Sequence, residues 1–170
     1  MAVRSKRVEF ELVVGPDGAA WIPGRDDGRR RESWTPEHLL LEALGRCALA
    51  SIRYSARRAG IEVTASAHAH GAVTRRASDG RFAFTSIDVT VTLDDRPDLS
   101  EEALANFRHH SERGCFIGAS LNVEPNYIWR YDGQALRLGS ADVRASPVER
   151  ASPGAGDPDT DGATADRPRP

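Results

Sequence analysis

The sequence predicts an α+β domain followed by an unstructured tail. Three observations carry that expectation. Apolar and polar residues alternate at the start of the chain and again in two longer runs near its middle. Between them, Thr35 to Gly60 has helical periodicity and a recognisable cap at each end. Turn-forming residues join neighbouring strands directly, which favours hairpins over the helical crossovers of a doubly wound sheet.

Composition bounds the rest. The chain has 170 residues, enough for one domain with a substantial core. Its hydrophobic fraction of 39% is low, and the dilution lies at the end. From Arg144 to Pro170 there is no aromatic residue, and five of the ten prolines fall there. Such a segment buries too little apolar surface to offset its ordering entropy. The expected division is therefore a domain over residues 1–140 and a disordered Pro/Asp/Ala-rich tail over 141–170. No run approaches the ~18 apolar residues of a membrane span. No basic segment leading into an apolar one is visible, so the expected compartment is the cytoplasm. With 23 basic and 25 acidic residues the formal charge is -2, which gives no reason to expect nucleic acid or a membrane as partner. Lys6 is the sole lysine, so arginine clusters here reflect compositional bias as much as any site.

The elements follow in order. Val8, Phe10, Leu12 and Val14 share one face of a first strand, opposite Glu9 and Glu11. Gly15-Pro16-Asp17-Gly18 is turn chemistry, so Ala19 to Ile22 returns as a second strand. Pro23 to Ser33 is polar, arginine-rich and read as a loop. Thr35 then caps a helix, with Pro36 at the first position, where a missing N–H costs nothing. Leu40, Leu41, Leu44, Cys47, Ala48, Ser51 and Ile52 recur along one side, with Glu42, Arg46, Arg53 and Arg57 opposite. Gly60 supplies the stop. Ile61 to Val73 reads as a strand with Ile61, Val63, Ala65, Ala67, Ala69 and Val73 on one face. Ser78-Asp79-Gly80 turns it into a return strand carrying Ile87, Val89, Val91 and Leu93. Ser100 caps a second helix, with Glu101 and Glu102 at its positive end. Gly114 ends it, Cys115 follows, Phe116 to Leu121 reads as a short helix, and Tyr127 to Arg130 as the last strand.

Few residues carry chemistry. Two cysteines are too few for a disulfide scaffold or a structural zinc site. In a reducing compartment, a cysteine pair is more often chemical than structural. Cys47 lies on the apolar stripe of the long helix, where a thiol is usually an inert small hydrophobe. Cys115 sits at a helix boundary, where unpaired N–H groups favour a thiolate. Glu37 falls on the side of Leu40, Leu41 and Leu44, so it is either a helix-start charge or the partner of an arginine among Arg25, Arg29, Arg30 and Arg31. On a continuous helix Glu37 and Cys47 are ~15 Å apart, so one chain cannot make them touch. His68-x-His70 has a metal-ligand spacing but no third ligand, and no metal site is expected. His109 and His110 point ~100° apart and do not converge.

The segment Thr35-Pro36-Glu37-His38-Leu39-Leu40-Leu41-Glu42-Ala43-Leu44-Gly45-Arg46-Cys47 resembles the cysteine-bearing helix of the OsmC/Ohr family of organic hydroperoxide-resistance peroxidases. That helix has Pro-Glu at its start and a cysteine ten residues after the glutamate. Arg57-Arg58-Ala59-Gly60-Ile61-Glu62-Val63 resembles the helix-to-strand junction that follows. Glu112-Arg113-Gly114-Cys115 falls where the family places its second cysteine. The resemblance spans about residues 7 to 132.

It implies an intertwined homodimer with antiparallel sheets around a long central helix, and two sites at the subunit interface. It further implies that Cys47 matches the peroxidatic cysteine, Cys115 the resolving cysteine and Glu37 the catalytic glutamate. The catalytic arginine would lie upstream on a loop: Arg25 first, with Arg29, Arg30 and Arg31 as alternatives. The implied reaction is a Cys47 thiolate attacking an organic hydroperoxide, with the sulfenic acid closing to a Cys47–Cys115 disulfide. An external dithiol, lipoyl-type in the family, then reopens it. No cofactor is implied.

Two other readings compete. One is a catalytically quiet relative that binds a small apolar or thiol-reactive ligand in the dimer cleft. The other uses Cys47 as an acyl nucleophile. That needs a histidine base in reach, and His38 lies ~13.5 Å back along the helix.

Overall fold

The computed structural model describes residues 6–25 and 27–131; the tail expected over 141–170 lies outside the described residues. Five strands and three helices are arranged as β1 (Val8–Val14), β2 (Ala20–Trp21), α1 (Pro36–Ala59), β3 (Ala65–Arg75), β4 (Phe82–Leu93), α2 (Glu101–Arg113), α3 (Phe116–Ala119) and β5 (Asn126–Tyr131). They form one sheet in the order β2-β1-β3-β4-β5. The class is α+β, as the alternation and hairpins predict. Three of the four seams are antiparallel, but β4 and β5 pair in parallel, from Asp88 with Asn126 to Leu93 with Tyr131. A parallel neighbour needs a crossover, and α2 with α3 supplies it.

Strand parity sets the core. Leu12 faces Ala69 and Val14 faces Ala67 across β1–β3. Ala67 faces Val91 and Ala69 faces Val89 across β3–β4. All six are buried, and α1 covers them with Leu41, Leu44, Ala48, Leu49 and Ile52. Fully burying a leucine or isoleucine side chain is worth ~1.5–3 kcal/mol. The small alanines on β3 leave room for these larger helix residues to approach. The other face is polar, with His68 Nε2 3.2 Å from Glu11 and His70 Nε2 3.9 Å from Glu9.

Two strand expectations need correction. Residues 61–64 are not in the strand, because β4 ends at Leu93 opposite Ala65 and offers them no ladder. The simple alternation also fails past Ala72. The register slips there, leaving Thr85 as the extra residue between Ser86, which faces Ala72, and Phe84, which faces Val73. The bulge turns Phe84 to the helix side. Its ring lies over Gly71, where any side chain would collide with it, and packs edge-on with Phe10 at 6.2 Å.

α1 has the predicted ends. Pro36 opens it and Gly60 closes it in the left-handed conformation, φ 69°. The Thr35 N–H donates to His38 Nδ1 at 3.2 Å, a local cap using the third helical residue. Among the described residues, no helix is long and apolar enough to cross a membrane.

Candidate thiol site

Halfway along α1 the helix turns from the sheet towards α2 and α3. Leu44 and Ala48 still face the core, while Cys47 is only half-buried. Ser51 and Ser55 follow as buried small residues. Small side chains let α2 end close by: Gly114, at the α2 terminus, is so near Ser51 that any side chain there would meet its hydroxyl. The chain then turns at Cys115 into α3.

This turn brings both sulfurs together. The Ile117 N–H donates to Cys47 Sγ at 3.4 Å, and the Gly118 N–H donates to Cys115 Sγ at 3.4 Å. Two successive amides of one short turn thus address two cysteines that lie 68 residues apart in sequence. Both are free thiols. Cys115 is fully buried. Burial pushes its thiol pKa up, the adjacent Tyr127 hydroxyl and the Gly118 N–H pull it down, and Cys47 pushes it up again. Cys47 acts on Cys115 in this way because the two side chains are neighbours.

Cys47 opens into a cleft of about 880 Å³. Tyr54, Phe107 and Phe116 give it apolar walls, and Ser51, Asn106 and His110 add polar groups. Arg58 also lines it. Such a mixture accepts a small organic molecule with one polar end.

The charged residues singled out in the sequence lie elsewhere. Arg25 is not paired with Glu37; its Nε donates to Asp27 at 3.1 Å. Arg29 lies over the Trp21 ring at 4.9 Å, and Arg31 over Trp34 at 5.3 Å. Glu37 sits at the start of α1, where a hydrogen bond from Thr35, then its own backbone, holds its carboxyl below the usual range. Neither Arg25 nor Glu37 lines the cleft at Cys47. His38 is only 7% exposed and packs edge-on against Phe10 at 5.3 Å. Burial, then the charge of Arg25, lowers its pKa, so the ring is neutral.

Two residues stand out that the sequence did not mark. Glu42, expected on the polar side of α1, is 5% exposed. Its Oε1 accepts from both Arg31 and Arg46, and Arg46 also donates to the Gly18 carbonyl at 2.8 Å. A buried carboxylate needs such partners. The i,i+4 spacing of Glu42 and Arg46 was its only local signal. Tyr127, on β5, is the other. Its hydroxyl is buried without a hydrogen-bond partner among the described residues. Nothing in the sequence near Tyr127 relates it to Cys115.

The sequence matches the family model described as OsmC-like protein over residues 27–129. Solved structures share the fold. An OsmC-like protein from Mycoplasma pneumoniae is 17% identical, with a TM-score of 0.51, covering 77% of this chain and 99% of its own. An OsmC-like protein of unknown function from Vibrio cholerae is 13% identical, with a TM-score of 0.51, covering 75% and 99%. An OsmC-like hydroperoxide resistance protein from Jannaschia is 17% identical, with a TM-score of 0.51, covering 67% and 85%. No curated protein matches the chain in sequence.

Proposed function

This chain belongs to the OsmC-like protein family, and on that premise we propose that it is a thiol peroxidase for organic hydroperoxides. One observation carries the reading: α3 holds Cys47 and Cys115 as neighbours, each sulfur accepting an amide N–H of the same turn. Only Cys47 faces the cleft, so it meets the substrate, and the fully buried Cys115 answers it from behind. The similar Jannaschia protein is described as a hydroperoxide resistance protein, which fits.

The Cys47 thiolate attacks the terminal peroxide oxygen and breaks the O–O bond. The alkoxide leaves and takes a proton to become an alcohol. Cys47 is now a sulfenic acid. The Cys115 sulfur attacks the Cys47 sulfur, hydroxide departs with a proton as water, and a disulfide forms. An external dithiol reduces that disulfide by two exchanges and becomes a disulfide itself. The apolar walls of Tyr54, Phe107 and Phe116 favour a bulky organic peroxide over hydrogen peroxide.

A homodimer completes the proposal. α1 exposes Leu39, Ala43, Ala50 and Tyr54 beside Cys47, and α3 exposes Phe116 at 78%. Together these make an apolar stripe suited to a second copy. A second subunit would also bring Arg25 and Glu37 toward Cys47, the guanidinium to offset charge on the leaving oxygen and the carboxylate to hold the guanidinium in place.

The test is a thiol count. One equivalent of cumene hydroperoxide is added to reduced protein, and free thiols and cumyl alcohol are measured within seconds. The expected result is loss of both thiols with a matching yield of alcohol. Retention of both thiols overturns the peroxidase reading and leaves the cleft as a ligand site. Sedimentation should give twice the chain mass; a monomer removes the shared-site part.

A further inference from the structure

Resting on the peroxidase reading, we propose that the Tyr127 hydroxyl is the hydrogen-bond donor reserved for the Cys115 thiolate. It would serve when Cys115 attacks Cys47, and again when Cys115 leaves as a dithiol reopens the disulfide.

Buried tyrosine hydroxyls nearly always find a partner. Tyr127 Oη is buried and has none among the described residues. It is nonetheless placed against a sulfur. A methyl group on Gly118 would sit 2.9 Å from Tyr127 Oη and 3.4 Å from Cys115 Sγ, so hydroxyl and sulfur flank the same glycine. Leu44 closes the third side, 3.6 Å from the same point. A side chain at 118 would press on the hydroxyl and the sulfur at once.

A neutral thiol is a weak acceptor, so the hydroxyl gains little from it. A thiolate is a strong one, and hydrogen bonds to ionised groups are about twice as strong as neutral ones. The pair therefore discriminates between the two states of Cys115. It is needed, because the sulfur is fully buried and burial disfavours its charged form. The Gly118 N–H already supplies one donor at 3.4 Å. Tyr127 supplies the second from the opposite element, β5.

The phenol does not act as an acid. Burial, then the nearby Cys115 sulfur, raises its pKa far above the ordinary value, with Cys47 and Glu112 adding to the shift. It keeps its proton and lends only a hydrogen bond. Glu112 accepts from the Trp129 Nε1–H at 2.7 Å and makes no hydrogen bond to the hydroxyl.

The direction of reduction follows from the same placement. A dithiol can reach Cys47 through the cleft but not Cys115. Its thiolate attacks Cys47 Sγ, the S–S bond breaks, and the electron pair leaves on Cys115 between the Tyr127 hydroxyl and the Gly118 N–H. A solvent proton later neutralises it. The second thiol of the reductant then attacks its own sulfur in the mixed disulfide and releases the Cys47 thiolate.

The test is Tyr127→Phe, read three ways. In a Cys47→Ser background only Cys115 titrates as a thiol, and its thiolate absorbance near 240 nm should appear at higher pH once the Tyr127 hydroxyl is removed. In the two-cysteine protein, cumyl alcohol release should keep its rate, while the following thiol loss slows at least tenfold, in keeping with the strength of bonds to charged groups. The reduced variant should be no less heat-stable than the parent, because a hydroxyl without a partner contributes nothing to stability. Unchanged Cys115 titration together with unchanged closure overturns the proposal. A lower melting temperature with no change in titration also overturns it, by showing a merely structural hydroxyl. Failure of the parent to consume hydroperoxide would sink the peroxidase reading alone, since the Cys47→Ser titration still decides the Tyr127–Cys115 bond.

Discussion

The first half of α1 has two poles of opposite character. At its start lie Glu37, His38 and Glu42, with Arg31 and Arg46 closing on the buried Glu42 carboxylate. Around Cys47 the partners are instead sulfurs, serine hydroxyls and backbone amides. The charged pole leaves its guanidiniums in water, with Arg31 and Arg46 side chains 58% and 45% exposed. The thiol pole hides its second sulfur completely. A rigid helix keeps Glu37 and Cys47 ~15 Å apart, so one chain cannot merge them. Residues adjacent in a motif therefore need not share a site in one subunit. The helix keeps the two clusters a fixed distance apart within one chain.

Leu44 sits beneath the thiol pole and offers the strongest way to break the contrast. It is fully buried and reaches Gly118 in the thiol turn. Leu44→Ala should cost about 2–5 kcal/mol in urea unfolding and expose Cys115 to alkylation. If stability falls but Cys115 stays protected, the thiol turn does not depend on the core beneath it.

Gly28→Ala isolates the charged pole. A methyl group there meets the Ile22 and Arg25 carbonyl oxygens, backbone atoms that cannot move aside without opening the loop. The loss should be about 1–3 kcal/mol. Trp34 fluorescence should change, because its Nε1–H bonds the Gly28 carbonyl at 2.9 Å. Protection of Cys115 should not change. Joint loss of both signals would mean that the poles are one unit.

Glu42→Gln is gentler, at about 1 kcal/mol, because both arginines can return to water. Added salt should shrink the difference; an effect insensitive to salt would point to packing rather than charge.

The smallest effect is the pH response of His38. The folded ring resists protonation, while the unfolded chain takes up a proton near its ordinary value of 6.5. Stability from this group is therefore complete above that pH and declines as pH falls below it. His38→Gln should flatten the change in urea midpoint between about pH 7.5 and 5.5. An equal slope in both proteins would place the acid sensitivity elsewhere.

What was legible in the sequence was local. Pro36 and Gly60 mark α1 because caps act within a turn or two of themselves. Alternation along Val8–Val14 and Ile87–Leu93 predicts the buried face because strand parity is fixed by the backbone. Cys47 and Cys115 were singled out, but their contact needs the α2–α3 path. The Thr85 bulge escaped notice because one added residue reverses parity without altering composition. Glu42 looked exposed because Arg31 reaches it from a loop whose course helical spacing does not encode. Tyr127 finds Cys115 through a parallel seam, a pairing that no turn between its two strands announces.

That seam also bears on assembly. β4 closes on β3 through a short turn, whereas β5 reaches β4 only after the chain has travelled back along the sheet through α2 and α3. Tyr127 belongs to β5, so wherever the β3–β4 hairpin stands before β5 has docked, Cys115 lacks its Tyr127 neighbour. In such a state the sulfur is open to any oxidant or stray thiol, and the docking of β5 decides when it becomes private.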